Sequence, residues 1–211
     1  MNINNIASPG NVSRGERELL TGQRGATIWF TGISGSGKST IAIALEKALY
    51  ERGILSYRLD GDNLRLGINN NLGYSQEHRK ENVRRAGEIS KIVCDAGLLA
   101  LSSFISPYRI DRESVRNSHE ESGISFVEVF VDCSTEEAER RDPKGLYKRA
   151  RGNEIKDFTG VDHPYEPPES PDIHLRSDVM TLEQEIKKLL EFMKINNILE
   201  TNPISSSEIG L

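Results

Sequence analysis

A chain of 211 residues, 36% hydrophobic and 28% charged, has room for one α/β domain with a substantial core, is tight for two, and is too apolar for a disordered polymer. Its formal net charge of −5 argues against a general nucleic-acid binder, so basic residues that cluster locally need a local, anionic reason. No apolar run approaches a membrane span, no basic-then-apolar leader opens the chain, Cys94 and Cys133 stand far apart outside any C-x-x-C, and His78, His119, His163 and His174 lack metal-ligand spacing; the expectation is a cytoplasmic protein without a disulfide framework or membrane attachment.

Residues 1–24 read as a polar N-terminal extension in which Ser13 to Gln23 can form a short helix. Ala26 to Thr31 is apolar and β-rich, a strand, and Ile41 to Arg52 keeps helical spacing until Gly53. Ser56 to Leu59 reads as a second strand, delivering Asp60-Gly61-Asp62-Asn63 at its carboxyl end, followed by a turn-rich loop at residues 69–74. Ser75 caps a helix that runs to about Ala96 and stops at Gly97. A buried strand, Leu98 to Phe104, leads through Ile105-Ser106-Pro107-Tyr108-Arg109 to a mostly polar helix from Asp111 to about Ser122. Phe126 to Asp132 is another strand, Thr135 to Arg141 a short helix broken by Asp142-Pro143-Lys144-Gly145, and residues 145–151 a basic helix. An irregular loop with Pro164, Pro167, Pro168 and Pro171 precedes a last strand at residues 173–175 and an amphipathic closing helix, Thr181 to Asn196. Residues 25–197 form one domain and 198–211 a polar tail. Strands alternating with helices predict a three-layer α/β fold around a central, mostly parallel sheet.

The stretch Gly32-Ile33-Ser34-Gly35-Ser36-Gly37-Lys38-Ser39-Thr40 fits G-x-x-x-x-G-K-[ST] between a strand and a helix, the context that turns a glycine-rich string into a phosphate-binding loop. Gly32, Ser34, Gly35, Ser36, Gly37, Lys38, Ser39 and Thr40 are therefore the candidate ATP-binding residues, with Lys38 reaching the β- and γ-phosphates and Ser39 offering its hydroxyl to Mg²⁺. Asp60 and Asp62 stand at a strand's carboxyl end, where open parallel sheets bind ligands, so one can take a proton from an acceptor hydroxyl; Asp60 is the expected base and Asp62 the metal's helper, against the alternative of an Asp-Gly turn. The strand before Ile105 ends in Phe104 rather than an acid, and no Asn/Thr-Lys-x-Asp run is present, which points away from a GTP switch and toward a small kinase. Arg65 and Arg79 suit phosphate or sulfate, while Arg84, Arg85 and Lys91 read equally well as a solvated helix face. Between Arg140 and Arg151 six basic residues face one acid, a candidate closing segment in which Lys148 and Arg151 meet ATP. Tyr74 and Phe158 are loop aromatics able to stack a nucleobase.

These residues resemble adenylylsulfate kinase (APS kinase) from about Gly25 to about Leu175. The likeness is carried by Gly32–Thr40, Leu59–Asn63, Leu72-Gly73-Tyr74-Ser75, Arg79-Lys80-Glu81-Asn82, Ser103–Arg109, Asp142–Tyr147 and Phe158-Thr159-Gly160. The resemblance implies a P-loop kinase, probing ATP and adenosine 5′-phosphosulfate (APS) as small-molecule partners, Mg²⁺ as cofactor and a homodimer. It implies phosphorylation of the APS 3′-hydroxyl to give 3′-phosphoadenosine 5′-phosphosulfate (PAPS) in sulfate activation. It puts Asp60 and Asp62 at the reacting hydroxyl and the metal, and Asp62, Asn63, Arg65, Arg79, Asn82, Ile105 and Ser106 on the APS. Tyr74 and Phe158 would sandwich the APS adenine, with Lys144 and Thr159 in the closing segment. The family usually has Phe where Tyr74 stands and often Lys-Asp where Asn70-Asn71 stands. Ser106 is described in the family as a phosphoserine intermediate, whereas in-line transfer needs only positioning and charge neutralisation. Two rivals remain: a small-metabolite kinase acting on gluconate or shikimate, and a nucleotide-binding regulator without turnover.

Overall fold

The computed structural model describes residues 10–155 and 157–199. The outer parts of the extension and of the tail, residues 1–9 and 200–211, lie outside the described residues. Helix α1 (Arg14–Thr21) opens with a capping box between Ser13 and Glu16, and an Arg17–Asp95 ion pair ties it to the body. Strands β1 (Ala26–Thr31), β2 (Ser56–Asp60), β3 (Leu99–Ser103), β4 (Ser125–Asp132) and β5 (Ile173–Arg176) form a sheet in the order β2-β3-β1-β4-β5, with every pairing parallel.

Strand β1 runs through the middle, and its side chains feed two cores in alternation. Ile28 and Phe30 join Ile41, Leu45 and Leu49 of α2 (Lys38–Tyr50) and Leu189 and Met193 of α8 (Leu182–Ile195). Trp29 points the other way, stacking on Phe104 and packing with Val83, Ala86 and Val115 of α4 (Gln76–Asp95) and α5 (Arg109–Glu121). Burying each large apolar side chain in these layers stabilises the fold by about 1.5–3 kcal/mol. On that second face Thr27 and the Val115 carbonyl hold the His119 ring, a buried core histidine. A smaller cluster of Ile33, Cys133, Ala138, Tyr147, Ala150 and Phe158 anchors α6 (Thr135–Arg141) and α7 (Leu146–Arg151) over the phosphate loop.

Most boundaries shift by a residue or two from the sequence reading, and three differences go further. Helix α2 begins at Lys38, because Gly37 takes φ 100° and serves as its N-cap. The Asp-Gly-Asp-Asn stretch is a helix, α3 (Gly61–Leu66), whose N-cap Asp60 accepts from the Asp62 amide. The core also reaches two residues into the stretch read as tail, since Ile198 is buried in it and Leu199 packs against it.

Candidate active site

The carboxyl ends of the strands converge on a cavity of about 950 Å³, with the phosphate loop in its floor. The loop's curvature depends on Gly32, where an added Cβ would fall 2.3 Å from the Val131 carbonyl oxygen. Its carbonyls are tied back from outside: the Tyr147 hydroxyl donates to Ser34 O at 2.9 Å and the Ser177 hydroxyl to Ser36 O at 2.7 Å. Gly37 makes no side-chain cap, so the first-turn amides of α2 stay available to an anion at a helix N-terminus. Ser34, Gly35, Gly37, Lys38, Ser39 and Thr40 line the cavity; Gly32 and Ser36 lie behind it.

Lys38 is only 8% exposed, and its Nζ donates to Ile33 O at 2.7 Å. Burial pulls its pKa down to about 8, with Lys144 lowering it further against the opposing pull of Asp60 and Asp62. A neutral amine loses its attraction to a triphosphate. ATP affinity should therefore fall as pH rises above about 8, while a Lys38→Arg variant stays flat; binding titrations across that range check this. Stability of the free protein moves the opposite way. Between about 8 and the ordinary 10.5 the unfolded chain holds a proton that the folded chain has released, so folding gains as pH rises.

The sheet register pairs Phe30 with Ser103 and Ser103 with Asp60, which brings the β2 carboxylate level with the strand feeding the loop. Asp60 is 8% exposed; its Oδ2 accepts from the Ser39 hydroxyl at 2.7 Å and from Arg58 at 3.4 Å. The expected division of labour placed Asp62 beside the metal. In the structure Asp60 stands against Ser39, whereas the Asp62 carboxylate is exposed and ion-paired with Lys144 of the α6–α7 break. A hydroxyl and a carboxylate are hard oxygen donors that fit Mg²⁺, which otherwise keeps waters and phosphate oxygens. Among the described residues no group of three or more His, Cys, Asp or Glu gathers to form an all-protein metal cage.

On the β2–β3 side the cavity is lined by Arg65, Tyr74, Arg79, Asn82, Ile105, Ser106, Lys144, Phe158 and Thr159. Arg79 donates to Tyr74 O and Thr159 Oγ1, each at 2.8 Å, and to Asp157 O, clasping two loops. Arg65 lies 4.4 Å above the Tyr74 ring and donates to Leu72 O and Gly73 O. Tyr74 is 60% exposed; Phe158 is buried edge-on against Tyr147. The Ser106 hydroxyl is 2% exposed and held between the Trp29 indole, at 3.1 Å, and Thr31, at 3.0 Å. Its carbonyl accepts from Arg112 at 2.6 Å, which ties this loop down.

Besides Gly32 and Ser36, three predicted residues lie outside the cavity lining. Asn63 is turned to solvent because α3 rotates it about 100° from Asp62. Lys148 and Arg151 each follow an inward residue of α7, Tyr147 and Ala150, so they point outward; Arg151 pairs with Glu139 at 3.0 Å. The basic side chains that reach the cavity from this segment are instead Arg141, Lys144 and Arg149. Arg141 is fastened by Glu137 at 2.7 Å and by Ser177 O at 2.7 Å. Arg112 and Glu185 are site-forming residues that the sequence did not single out.

The family profile described as adenylylsulphate kinase matches residues 24–176. The chain is 52% identical over 188 residues to the adenylyl-sulfate kinase of Staphylococcus carnosus, covering 89% of this chain and 94% of that relative. It is 49% identical over 195 residues to the adenylyl-sulfate kinase of Saccharomyces cerevisiae, covering 92% and 96%. The Mycobacterium tuberculosis APS kinase in complex with AMPPNP and APS matches with a TM-score of 0.79 at 45% identity, over 82% of this chain and 99% of that one. With the phosphate loop, the acidic pair and the flanking aromatics gathered round one cavity, and with likeness of this extent, the chain belongs to the adenylyl-sulfate kinase family.

Proposed function

We propose that the protein transfers the γ-phosphoryl group of ATP to the 3′-hydroxyl of adenosine 5′-phosphosulfate, giving PAPS and ADP. The observation that carries this reading is the single cavity with the phosphate loop at its centre, the two acids beside it and a base-sized aromatic and arginine lobe next to the acids. Loop amides and Lys38 cradle the triphosphate, and Mg²⁺, when bound, neutralises phosphate charge with Ser39 and Asp60 as its protein donors. Asp60, already engaged by Ser39, Arg58 and the Asp62 amide, orients the serine. Asp62, whose only side-chain partner among the described residues is the exposed Lys144, accepts the 3′-hydroxyl proton. As that proton leaves, the bond from O3′ to the γ-phosphorus forms and the bond from the γ-phosphorus to the bridging oxygen of ADP breaks. An exposed ion pair is worth little, so Lys144 is free to exchange Asp62 for substrate. Ser106 shapes the floor of the acceptor lobe through Trp29, Thr31 and Arg112 rather than carrying the phosphoryl group.

Arg65 and Arg79 supply the charge for the sulfate and phosphate of APS, and Tyr74 and Phe158 the faces for its adenine. The Tyr74→Ala variant should raise the APS KM by about tenfold or more, with the ATP KM unchanged and Tyr74→Phe close to the parent; steady-state kinetics with each substrate varied check this. An assay of ATP with APS, alongside gluconate and shikimate, tests the activity itself. PAPS formation from APS alone is expected. Turnover of either small metabolite, or ATP binding without product, would favour the corresponding rival. A homodimer is the proposed assembly, supported by exposed Tyr57 on the edge strand β2 and exposed Leu55 just before it, and tested by sedimentation. The cytoplasm is the proposed compartment, consistent with two buried free thiols; among the described residues no helix is long and apolar enough to cross a membrane.

A further inference from the structure

The β5–α8 end of the cavity holds a carboxyl group that the transfer chemistry does not use. Glu185 of α8 is 4% exposed, and its Oε1 has no hydrogen-bond partner among the described residues. It lines the cavity with Ile41, Ser177, Met180 and Leu182. Four buried side-chain atoms share this unpartnered state, on Arg58, Ser103, Asp111 and Glu185, and of these residues only Ser103 and Glu185 line the cavity. Ser103 ends β3, on the acceptor side; Glu185 stands on the opposite side of the phosphate loop. Buried polar groups are as a rule satisfied, so an unpaired carboxyl on a ligand cavity calls for a ligand group. Glu185 also lies past residue 176, where the match to the family profile ends.

The donor's orientation follows from the floor of the cavity. Its γ-phosphate must face Asp60 and Asp62 at the end of β2, so its nucleoside trails to the other side, toward β5 and α8. There Ile41, Met180 and Leu182 offer apolar walls for a flat ring, and Arg141, fixed by Ser177 O and Glu137, offers a guanidinium. We infer that Glu185 reads the base of the phosphoryl donor, accepting a hydrogen bond from the exocyclic amine of a 6-aminopurine. Burial raises the Glu185 pKa to about 7, with Arg141 opposing, so near neutrality a substantial share of the carboxyl carries a proton. In that form one oxygen accepts and the other donates, which matches an amine beside a ring nitrogen. A base without the amine leaves the carboxyl unpaired again, and a site built for a hydrogen bond rejects an analogue that lacks it.

This inference rests on the reading of the cavity as a kinase site, and binding measurements separate the two. The full chain is titrated with ATP and with purine riboside 5′-triphosphate, which lacks the 6-amino group, in the absence of acceptor. ATP should bind the parent protein about tenfold or more tightly than the analogue. Glu185→Gln, which keeps an acceptor and a donor, should largely retain that ratio. Glu185→Leu should bring the ratio close to one by weakening ATP alone. A ratio near one in the parent, or a preserved ratio in Glu185→Leu, overturns the inference. The parent ratio decides even if a variant fails to fold. Absence of PAPS formation with the ratio intact would instead count against the proposed activity and leave the assignment of Glu185 standing.

Discussion

Replacing Lys38 by Ala should lower kcat by roughly a thousandfold while the protein stays folded. The ammonium is the buried cation at the phosphate loop, 8% exposed and aimed by the Ile33 carbonyl at 2.7 Å. Its pKa, pulled down to about 8, shows that the free protein holds this charge at a cost that a bound triphosphate offsets. Removing it strips charge stabilisation from the transferring phosphoryl group but relieves the fold of a desolvated cation, so the melting temperature should hold or rise. Steady-state kinetics and thermal melts on one preparation check both halves. A kcat within tenfold of the parent would refute the role; a collapsed melt would leave the activity loss unattributable to charge, and Lys38→Met, closer in shape, then decides.

The second large effect separates the two acids. Asp60→Asn should lower kcat by about a thousandfold and raise the Mg²⁺ concentration needed for half-maximal rate, because Asp60 Oδ2 sits 2.7 Å from the Ser39 hydroxyl. Asp62→Asn should lower kcat by about a hundredfold or more with the Mg²⁺ requirement unchanged, as expected for loss of a proton acceptor. Kinetics across a Mg²⁺ series measure both. A shifted Mg²⁺ requirement in Asp62→Asn, with none in Asp60→Asn, would restore the assignment expected from sequence.

The contacts behind that proposed exchange of roles mark where sequence reading stops. The phosphate loop was legible because its signal is contiguous: a β-rich run, glycines at fixed offsets, then a helix. Asp60 was legible as an acid at a strand end. Its contact with Ser39 was not, because the two residues are brought together by β3 lying between β2 and β1. Helix α3 was hidden by Gly61 and two aspartates that favour turns, until Asp60 supplied the N-cap. In the basic segment the charge pattern marked a closing element, but the rotation of α7 decides that Arg149 reaches the cavity while Lys148 and Arg151 do not. Arg112 reads as one more charge on a polar helix; only the fold reveals it buried against Glu128 and the Ser106 carbonyl. Glu185 reads as an ordinary first-turn acid of an amphipathic helix, and its isolation emerges only when α8 packs beside α2.

In the proposed reaction one cavity seats two nucleotides on opposite sides of the phosphate loop, with the acids between them. A crystal structure with a non-hydrolysable ATP analogue and APS bound together tests it most directly. The triphosphate is expected on the amides of residues 32–40, the APS adenine beside Tyr74 and Phe158, and the APS 3′-hydroxyl within hydrogen-bond reach of Asp62. A triphosphate bound away from that loop, or a 3′-hydroxyl facing away from both Asp60 and Asp62, would contradict it.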